Sequence, residues 1–410
     1  MTCPVSFASP SRRVAILGCG TVGREVAARL LEAGERLGVA VAKILVRDTT
    51  RDRGLPRDLF TASVDEIDAA EPDLVVELMG GIEPACSLVS RCLSRGIPVV
   101  TANKTLIAHR GRELAALAGE SGATLAFEAS VCAAIPVIAS LRHLAGDRVL
   151  SIRGIVNGSC NFILSRLEEG WRFDDALAEA RKRGLVEPDP SADISGRDSA
   201  EKLCVLAAAV GVPLDPDQVE TRGIEPLTPD DLAAARRSGR TIRLLAELGL
   251  SDGVVRARVG PTLVPRAHPL AQVADEENGV VVESELGGEL FFKGRGAGPR
   301  PTASAVLGDV ASLAGGPRAP VETAHGTWPA RRHQIRIVAR GLGPDVILDA
   351  ARTVGASRVD ISRTGARIET DAIGDREAAA CARALDPREA LVVPLLEADR
   401  PRGEPYQAPW

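Results

Sequence analysis

Over the first 130 residues, short unbroken apolar runs alternate with apolar residues at helical spacing. This pattern predicts a parallel sheet covered by helices. Val14-Ala-Ile-Leu17 is the kind of run that a strand buried on both faces requires, and Val22, Val26 and Leu30 follow at the spacing of one helix face. Strand-like runs recur at 39–46, 74–77, 97–100 and 124–127, with helical stretches such as 114–118 between them. Alternating elements of this kind imply an α/β class and a Rossmann-like, doubly wound domain over residues 1–130. Its ligands are expected at the carboxyl ends of the strands.

Beyond residue 131 the pattern loosens into an expected α+β domain, 131–314. Residues 152–156 read as a strand entering a short helix at Asn157-Gly-Ser-Cys-Asn161, and 174–183 read as a second helix. Residues 239–248 carry apolar positions at the spacing of an amphipathic helix, while 254–264 and 280–284 read as strands. Pro301 opens a helix near 301–312 that is expected to pack back on the first domain. A Gly/Pro-rich linker is expected at 315–330. The tail, 331–400, runs strand, helix, strand, strand, helix, strand, with its second helix at 376–385.

Composition narrows the class. The 410 residues are 45% apolar and 26% charged with a net charge of −5, the profile of an ordinary soluble globular protein. Aromatics make up only 3% and the arginines are interspersed with acids, which argues against a nucleic-acid partner. No signal-peptide core or membrane-length run is seen, and the eight cysteines lack CxxC spacing. These features point to a cytoplasmic protein with reduced thiols and no transition-metal site. Only five of the fifty basic side chains are lysine: Lys43, Lys104, Lys182, Lys202 and Lys293. Guanidinium does not give up its proton in proteins whereas ammonium can, so a lysine in an arginine-rich background is a candidate for proton chemistry.

The motifs give that candidate a setting. Gly18-Cys-Gly20-Thr21-Val22-Gly23 lies between a strand and a helix, the context of a dinucleotide-binding turn. Gly18 permits the turn, Gly20 admits the pyrophosphate, and Gly23 lets the helix pack on the strand. Arg47 ends the second strand, with Arg51 and Arg53 following. Arginines there suit the 2′-phosphate of NADP, whereas an acid such as the adjacent Asp48 would suit NAD. The segment from Glu187 through Asp193 and Asp198 to Lys202 carries five acids and a single lysine in sixteen residues. Asp198 and Lys202, four apart, share one helix face. Carboxylates beside one lysine suit a substrate carrying an ammonium group, with the lysine handling a proton on a nearby oxygen. Gly294-Arg-Gly-Ala-Gly298, entering a helix, can face a cofactor from a second side.

Taken together, GCGTVG, ELMGG, TANK, FEASV…IP, NGSCNFIL, EPDPSADISGRDSAEK, HPLAQV…N and GRGAG..PTASAV resemble homoserine dehydrogenase, from about residue 13 to 312. The resemblance implies an NAD(P)-dependent oxidoreductase interconverting L-homoserine and L-aspartate 4-semialdehyde on the route to threonine and methionine. It implies Lys202 as proton donor and acceptor, and Lys104 near the cofactor and the reacting carbon. Glu187, Asp193 and Asp198 would surround the substrate's amino end, and Thr101 and Gly298 would lie by the cofactor. A monovalent cation, usually sodium, would be held by the backbone around Glu128, Val131, Ala133 and Ile135. A dimer through the second domain is implied, and the tail is similar to an ACT module. Two departures stand out. Ala133-Ala134 replace two glycines, adding bulk beside the cofactor and cation, and the tail's first loop keeps only a Gly-Pro remnant, so threonine feedback does not follow. Two other readings remain: a paralogue acting on another amino-acid semialdehyde, and a non-catalytic regulatory homologue that keeps the NADP site.

Overall fold

The computed structural model describes residues 12–251, 253–315, 333–337, 344–353, 356–362, 365–370 and 391–394. It separates into two compact units, Met1–Ala319 and Pro320–Trp410. The first unit begins with β1 (Arg12–Leu17), α1 (Thr21–Leu37), β2 (Val39–Leu45), β3 (Phe60–Thr61), α2 (Val64–Ala69), β4 (Leu74–Glu77), α3 (Ala85–Ser94), β5 (Val99–Thr101), α4 (Lys104–Ser121) and β6 (Leu125–Ala126). The six strands form one parallel sheet in the order β3-β2-β1-β4-β5-β6. The chain changes direction across the sheet between β1 and β4, which opens a crevice at their carboxyl ends where ligands of such sheets bind.

The glycine turn sits in that crevice, and its three glycines do different things. Gly18 has φ +99°, and a Cβ there would stand 2.7 Å from the Leu78 carbonyl oxygen on the neighbouring β4 loop. A Cβ on Gly23 would meet the Gly18 carbonyl oxygen at 2.4 Å, so α1 can approach β1 only with glycine at that position. At Gly20, by contrast, a Cβ would meet nothing within 4 Å. No side chain caps α1, which leaves the N–H groups of its first turn free to face the crevice.

The unit continues with α5 (Val137–His143), β7 (Val149–Ile155), α6 (Gly158–Glu168), α7 (Phe173–Lys182), α8 (Ser191–Ile194), α9 (Arg197–Ala209), β8 (Glu220–Thr221), α10 (Pro229–Arg237), β9 (Arg240–Ser251), β10 (Val254–Pro265), β11 (Glu277–Ser284), β12 (Gly288–Arg295) and α11 (Pro299–Ala314). A second, mixed sheet runs β12-β11-β7-β9-β10-β8. Its pairs are antiparallel except β8 with β10. Ala303, Val306 and Val310 of α11 join Val14, Ile16, Val26 and Leu30 in one core, so α11 covers the first sheet beside α1.

One element differs from the sequence reading. Residues 239–248, read as an amphipathic helix, belong to strand β9. Ile242, Leu245 and Leu248 fit a helical stripe, but Leu244 and Ala246 are buried as well, because β9 lies between β7 and β10 and is covered on both faces. Apolar spacing cannot separate a fully buried strand from a helix, and sheet pairing decides the matter. Arg243, at the buried centre of β9, donates to Glu168 and Thr241 side chains and to the Ile242 and Ala271 carbonyls.

The second unit contributes β13 (His333–Ile337), α12 (Pro344–Thr353), β14 (Ala356–Ser362), β15 (Gly365–Thr370) and β16 (Leu391–Pro394). Its strands form an antiparallel sheet in the order β14-β15-β13-β16. The second helix expected in the tail, at 376–385, and the linker from residue 316 onward lie outside the described residues.

Candidate functional site

The loops at the carboxyl edge of the first sheet are built around two buried polar side chains. Glu77, at the end of β4, is wholly buried, and its carboxylate accepts from the Met79 N–H at 2.7 Å, the Gly80 N–H at 3.3 Å and the Thr101 hydroxyl at 2.6 Å. The Thr101 side chain is therefore committed to Glu77. A buried hydroxyl spent on a carboxylate has no donor left to offer. Asn103 caps α4 through the Leu106 N–H at 3.1 Å and donates to the Gly81 carbonyl at 2.7 Å, which locks the two loops together.

Lys104 follows that cap as the first residue of α4. A cation at a helix N-terminus opposes the helix dipole. Two carboxylates offset the cost: Nζ lies 3.5 Å from Asp198 Oδ1 and 3.5 Å from Glu201 Oε2. Asp198 is shared. Its Oδ2 accepts from Lys202 Nζ at 2.8 Å and from Asn157 Nδ2 at 2.8 Å. Lys202 also donates to the Val156 carbonyl at 2.8 Å, where β7 ends. Both lysines therefore meet at one carboxylate, beside the edge where the glycine turn opens.

Burial separates Lys202 from the other lysines. Its side chain is 16% exposed, against 35% for Lys104, 34% for Lys293, 30% for Lys43 and 81% for Lys182. Lys293 is tied to Glu277, Lys43 to the Asp58 carbonyl, and Lys182 to the exposed flank of α7. Desolvation alone would pull the Lys202 pKa down. The Asp198 charge and hydrogen bond outweigh it and hold the ammonium above the ordinary lysine value. An anion stands between the two lysines, so Lys104 does not set the sign of the shift. Asp198 shows the reciprocal effect: burial raises its pKa, but Lys202, Lys104 and Asn157 bring it below the ordinary aspartate value.

Of the other acids, Asp193 is partly buried and accepts from Asn157 Nδ2 at 2.7 Å through Oδ1. Desolvation, with the charges of Asp198 and Glu187, raises its pKa despite that bond and the Lys202 charge. Glu187 is exposed at the rim within the field of Asp193. Asn157 was missed as a site residue in the sequence. It caps α6 through the Cys160 N–H at 2.8 Å while its amide bridges Asp193 and Asp198. The only sequence signal was its place between a strand and a helix. Glu201, which faces Lys104, Thr105 and His109, was also missed.

At the far side of the crevice Arg47 and Arg51 are exposed, whereas Arg53 donates to the Cys19, Asp48 and Arg51 carbonyls and stacks on Phe60. Asp48 is occupied by Thr50. The loop before α11 approaches from the second sheet. Gly298 has φ +112°, and Arg300 Nε lies 3.9 Å from Glu25 Oε1 on α1, so the two helices begin at the same end of the unit.

Between these parts runs 128–135. The buried Glu128 carboxylate accepts from the Ile138 and Ala139 N–H groups at 2.8 and 2.7 Å, opening α5. Cys132 and Ala133 adopt left-handed backbone, φ +55° and +43°, each at a cost of about 1–2 kcal/mol without glycine. Ala133 is buried and Ala134 exposed, so of the two methyl groups replacing glycine hydrogens one enters the interior and the other faces out. Val131 and Ala133 are buried, and no hydrogen bond to their main-chain carbonyls is found among the described residues. Burial pushes the Cys132 thiol up to about 11, which keeps it protonated.

Comparison with known proteins gives these parts a context. Residues 18–128 match a family model described as the NAD binding domain of homoserine dehydrogenase, and residues 136–311 match one described as homoserine dehydrogenase. A homoserine dehydrogenase from Mycobacterium leprae is 44% identical over 336 residues, covering 77% of this chain and 76% of that protein. Among solved structures, a homoserine dehydrogenase from Thiobacillus denitrificans superposes with a TM-score of 0.70 at 32% identity, covering 93% of this chain and 97% of that one. A hyperthermophilic archaeal homoserine dehydrogenase in complex with NADPH superposes with a TM-score of 0.63 at 31% identity, covering 74% and 98%.

Proposed function

The chain belongs to the homoserine dehydrogenase family, and on that premise we propose that Lys202 carries the proton of the reaction and Lys104 supports the charge that develops with it. The protein is an NAD(P)-dependent oxidoreductase that interconverts L-homoserine and L-aspartate 4-semialdehyde. The observation that carries the assignment of roles is the sharing of Asp198 by the two lysines at the carboxyl edge of the dinucleotide-binding sheet.

An ammonium has three donors. Lys202 spends two, on Asp198 and the Val156 carbonyl, which leaves one for a substrate oxygen. In the reducing direction that N–H protonates the developing alkoxide, and in the oxidising direction the neutral amine accepts the hydroxyl proton. Lys104, fixed by Asp198 and Glu201, adds positive charge where the oxyanion forms. The nicotinamide, when bound, exchanges the hydride. Asp198 is spent on the lysines and Asn157, so the substrate's ammonium falls chiefly to Asp193 and Glu187, with Asp198 organising the site. NADPH oxidation with L-aspartate 4-semialdehyde tests the reading. Turnover with other amino-acid semialdehydes only, or none, would overturn it.

The dinucleotide is assigned to Gly18, Gly20, Thr21, Val22 and Gly23, with Gly298 opposite. Gly20→Ala separates this role from a packing role. Open space around its Cβ means the substitution costs no more than about 1 kcal/mol, measured by thermal melting. The coenzyme KM is nonetheless expected to rise at least about tenfold, because the methyl occupies the approach of the pyrophosphate. NADP is favoured over NAD: Arg47 and Arg51 are exposed beside the turn, and an NADPH complex is known for a structural neighbour. Arg47→Ala is expected to raise the NADP KM about tenfold and leave the NAD KM unchanged, the loss of one charged hydrogen bond. An equal rise for both coenzymes would remove Arg47 from the 2′-phosphate site.

Four further assignments belong to the same reading. Main-chain carbonyls at Glu128, Val131, Ala133 and Ile135 hold a sodium ion of structural duty, supported by the unpaired carbonyls of Val131 and Ala133. The second sheet serves as a homodimer face, supported by Val254, Val255 and Leu263 of β10, which are large, apolar and exposed. The tail is an ACT-like module at 331–400 after a 315–330 linker, with cofactor and substrate domains at 1–130 and 131–314; its antiparallel sheet and α12 agree with that module. The protein acts in the cytoplasm, and no helix among the described residues is long and apolar enough to cross a membrane.

A further inference from the structure

Lys202 and Lys104 face the same carboxylate in different ways. Lys202 gives Asp198 a hydrogen bond at 2.8 Å, whereas Lys104 reaches it through charge alone, at 3.5 Å. A charge-assisted hydrogen bond between such groups usually measures about 2.7–2.9 Å. Lys104 stands just as far, 3.5 Å, from Glu201, and it makes no shorter polar contact with any described residue. Its ammonium is suspended between two anions, with all three N–H donors left for a ligand. Beside Asp198 alone it would close on that carboxylate, because both the Coulomb attraction and the hydrogen bond strengthen as the gap shortens. It would then spend a donor there and compete with Lys202 for the same anion.

Glu201 supplies the opposing pull. It follows Asp198 by three residues on α9, so the two carboxylates share one face of that helix. α4 packs against α9, and its first turns carry the groups that aim the Glu201 side chain. The Thr105 hydroxyl donates to Oε2 at 3.0 Å, and His109 Nε2, one turn further along the same face, lies 3.7 Å from Oε1. Glu201 is 21% exposed, so water screens its pull on Lys104 only in part. Asp198 is spent on Lys202 and Asn157, whereas Lys104 is the lysine that Glu201 serves. Lys104, Thr105 and His109 fall in the part that matches the NAD binding domain, and Asp198 and Glu201 fall in the other matched part. The contact therefore ties the coenzyme's side of the site to the substrate's side.

We propose that Glu201 is a positioning residue that holds Lys104 off Asp198, so that the Lys104 ammonium stays free for the oxygen on which charge develops. It acts through Lys104 and not on the reacting atoms. Its own negative charge works against an oxyanion, and the gain in placing Lys104 outweighs that cost. This inference rests on the assignment of Lys104 to the developing charge.

Glu201→Gln tests it, because the amide keeps the shape and an acceptor for Thr105 and removes only the charge. With L-homoserine and NADP, kcat is expected to fall about tenfold through the misplacement of Lys104. The L-homoserine KM is expected to stay within about threefold, the split that marks an interaction made in the transition state. In a Lys104→Met background the same substitution is expected to change kcat less than about twofold, since no ammonium remains to be placed. An equal fractional loss in both backgrounds would show a packing role, and an unchanged or raised kcat in Glu201→Gln alone would show that the charge places nothing; either overturns the proposal. A Lys104→Met enzyme with undiminished kcat would instead overturn the Lys104 assignment beneath it.

Discussion

Lys202→Arg is expected to lower turnover of L-homoserine at least about 100-fold, the scale of lost acid–base catalysis. The substitution keeps a positive charge beside Asp198 and the Val156 carbonyl but removes an ammonium that can give up and take back its proton. NADPH binding, followed by fluorescence, is expected to stay within about threefold, since Lys202 touches the substrate oxygen and not the dinucleotide turn. Near-normal turnover in a variant that binds NADPH would remove Lys202 from proton transfer. The wild-type pH profile supplies an independent check. In the free enzyme the Lys202 ammonium is held above its ordinary value of 10.5, so kcat/KM for homoserine oxidation should climb with pH and not level off below 10.5. A plateau set by Lys202 well below that value would contradict the Asp198 geometry.

Asp198→Asn carries the second large effect, this time on stability. The substitution leaves Lys202 buried without its anion and Lys104 with Glu201 alone. Breaking a buried pair from one side costs about 3–5 kcal/mol, read as a fall in melting temperature at pH 7. In the wild type the raised Lys202 pKa contributes stability that is present below 10.5 and is lost as pH rises through the folded value. The lowered Asp198 pKa contributes stability that is present above 3.8 and is lost as pH falls through its folded value. The pair therefore stabilises across the neutral range. In Asp198→Asn, desolvation of Lys202 is no longer outweighed and its pKa falls below 10.5, so the deficit should shrink as pH rises and the ammonium sheds its proton. The plateau in the homoserine oxidation profile should move to lower pH in the same variant. A stability loss independent of pH, with the plateau unmoved, would show that Asp198 does no more than fill space.

Some of this site was legible because its logic is local. A strand, GxGxxG and a helix follow one another within the span from Arg12 to Leu37, so the dinucleotide turn is written in adjacent residues. Asp198 and Lys202 lie four apart on α9, so helical periodicity alone brings them within 2.8 Å. The scarcity of lysine drew attention to Lys104 and Lys202, but it could not rank them. Only burial did that, together with the finding that Arg243 serves in β9 where fixed charge is enough.

What tertiary structure decided is whatever depends on contacts distant along the chain. Residues 239–248 became a strand because β7 and β10 flank them, a choice that their own spacing leaves open. Asp198 became the hub of two lysines and Asn157 because β7, α4 and α9 converge there, and its charge turned the Lys202 pKa upward against the pull of burial. Chain order carries the periodicities of 2 and 3.6 and the turns between them. The partner of each buried charge, and therefore the sign of its pKa shift, is settled only when separate segments pack.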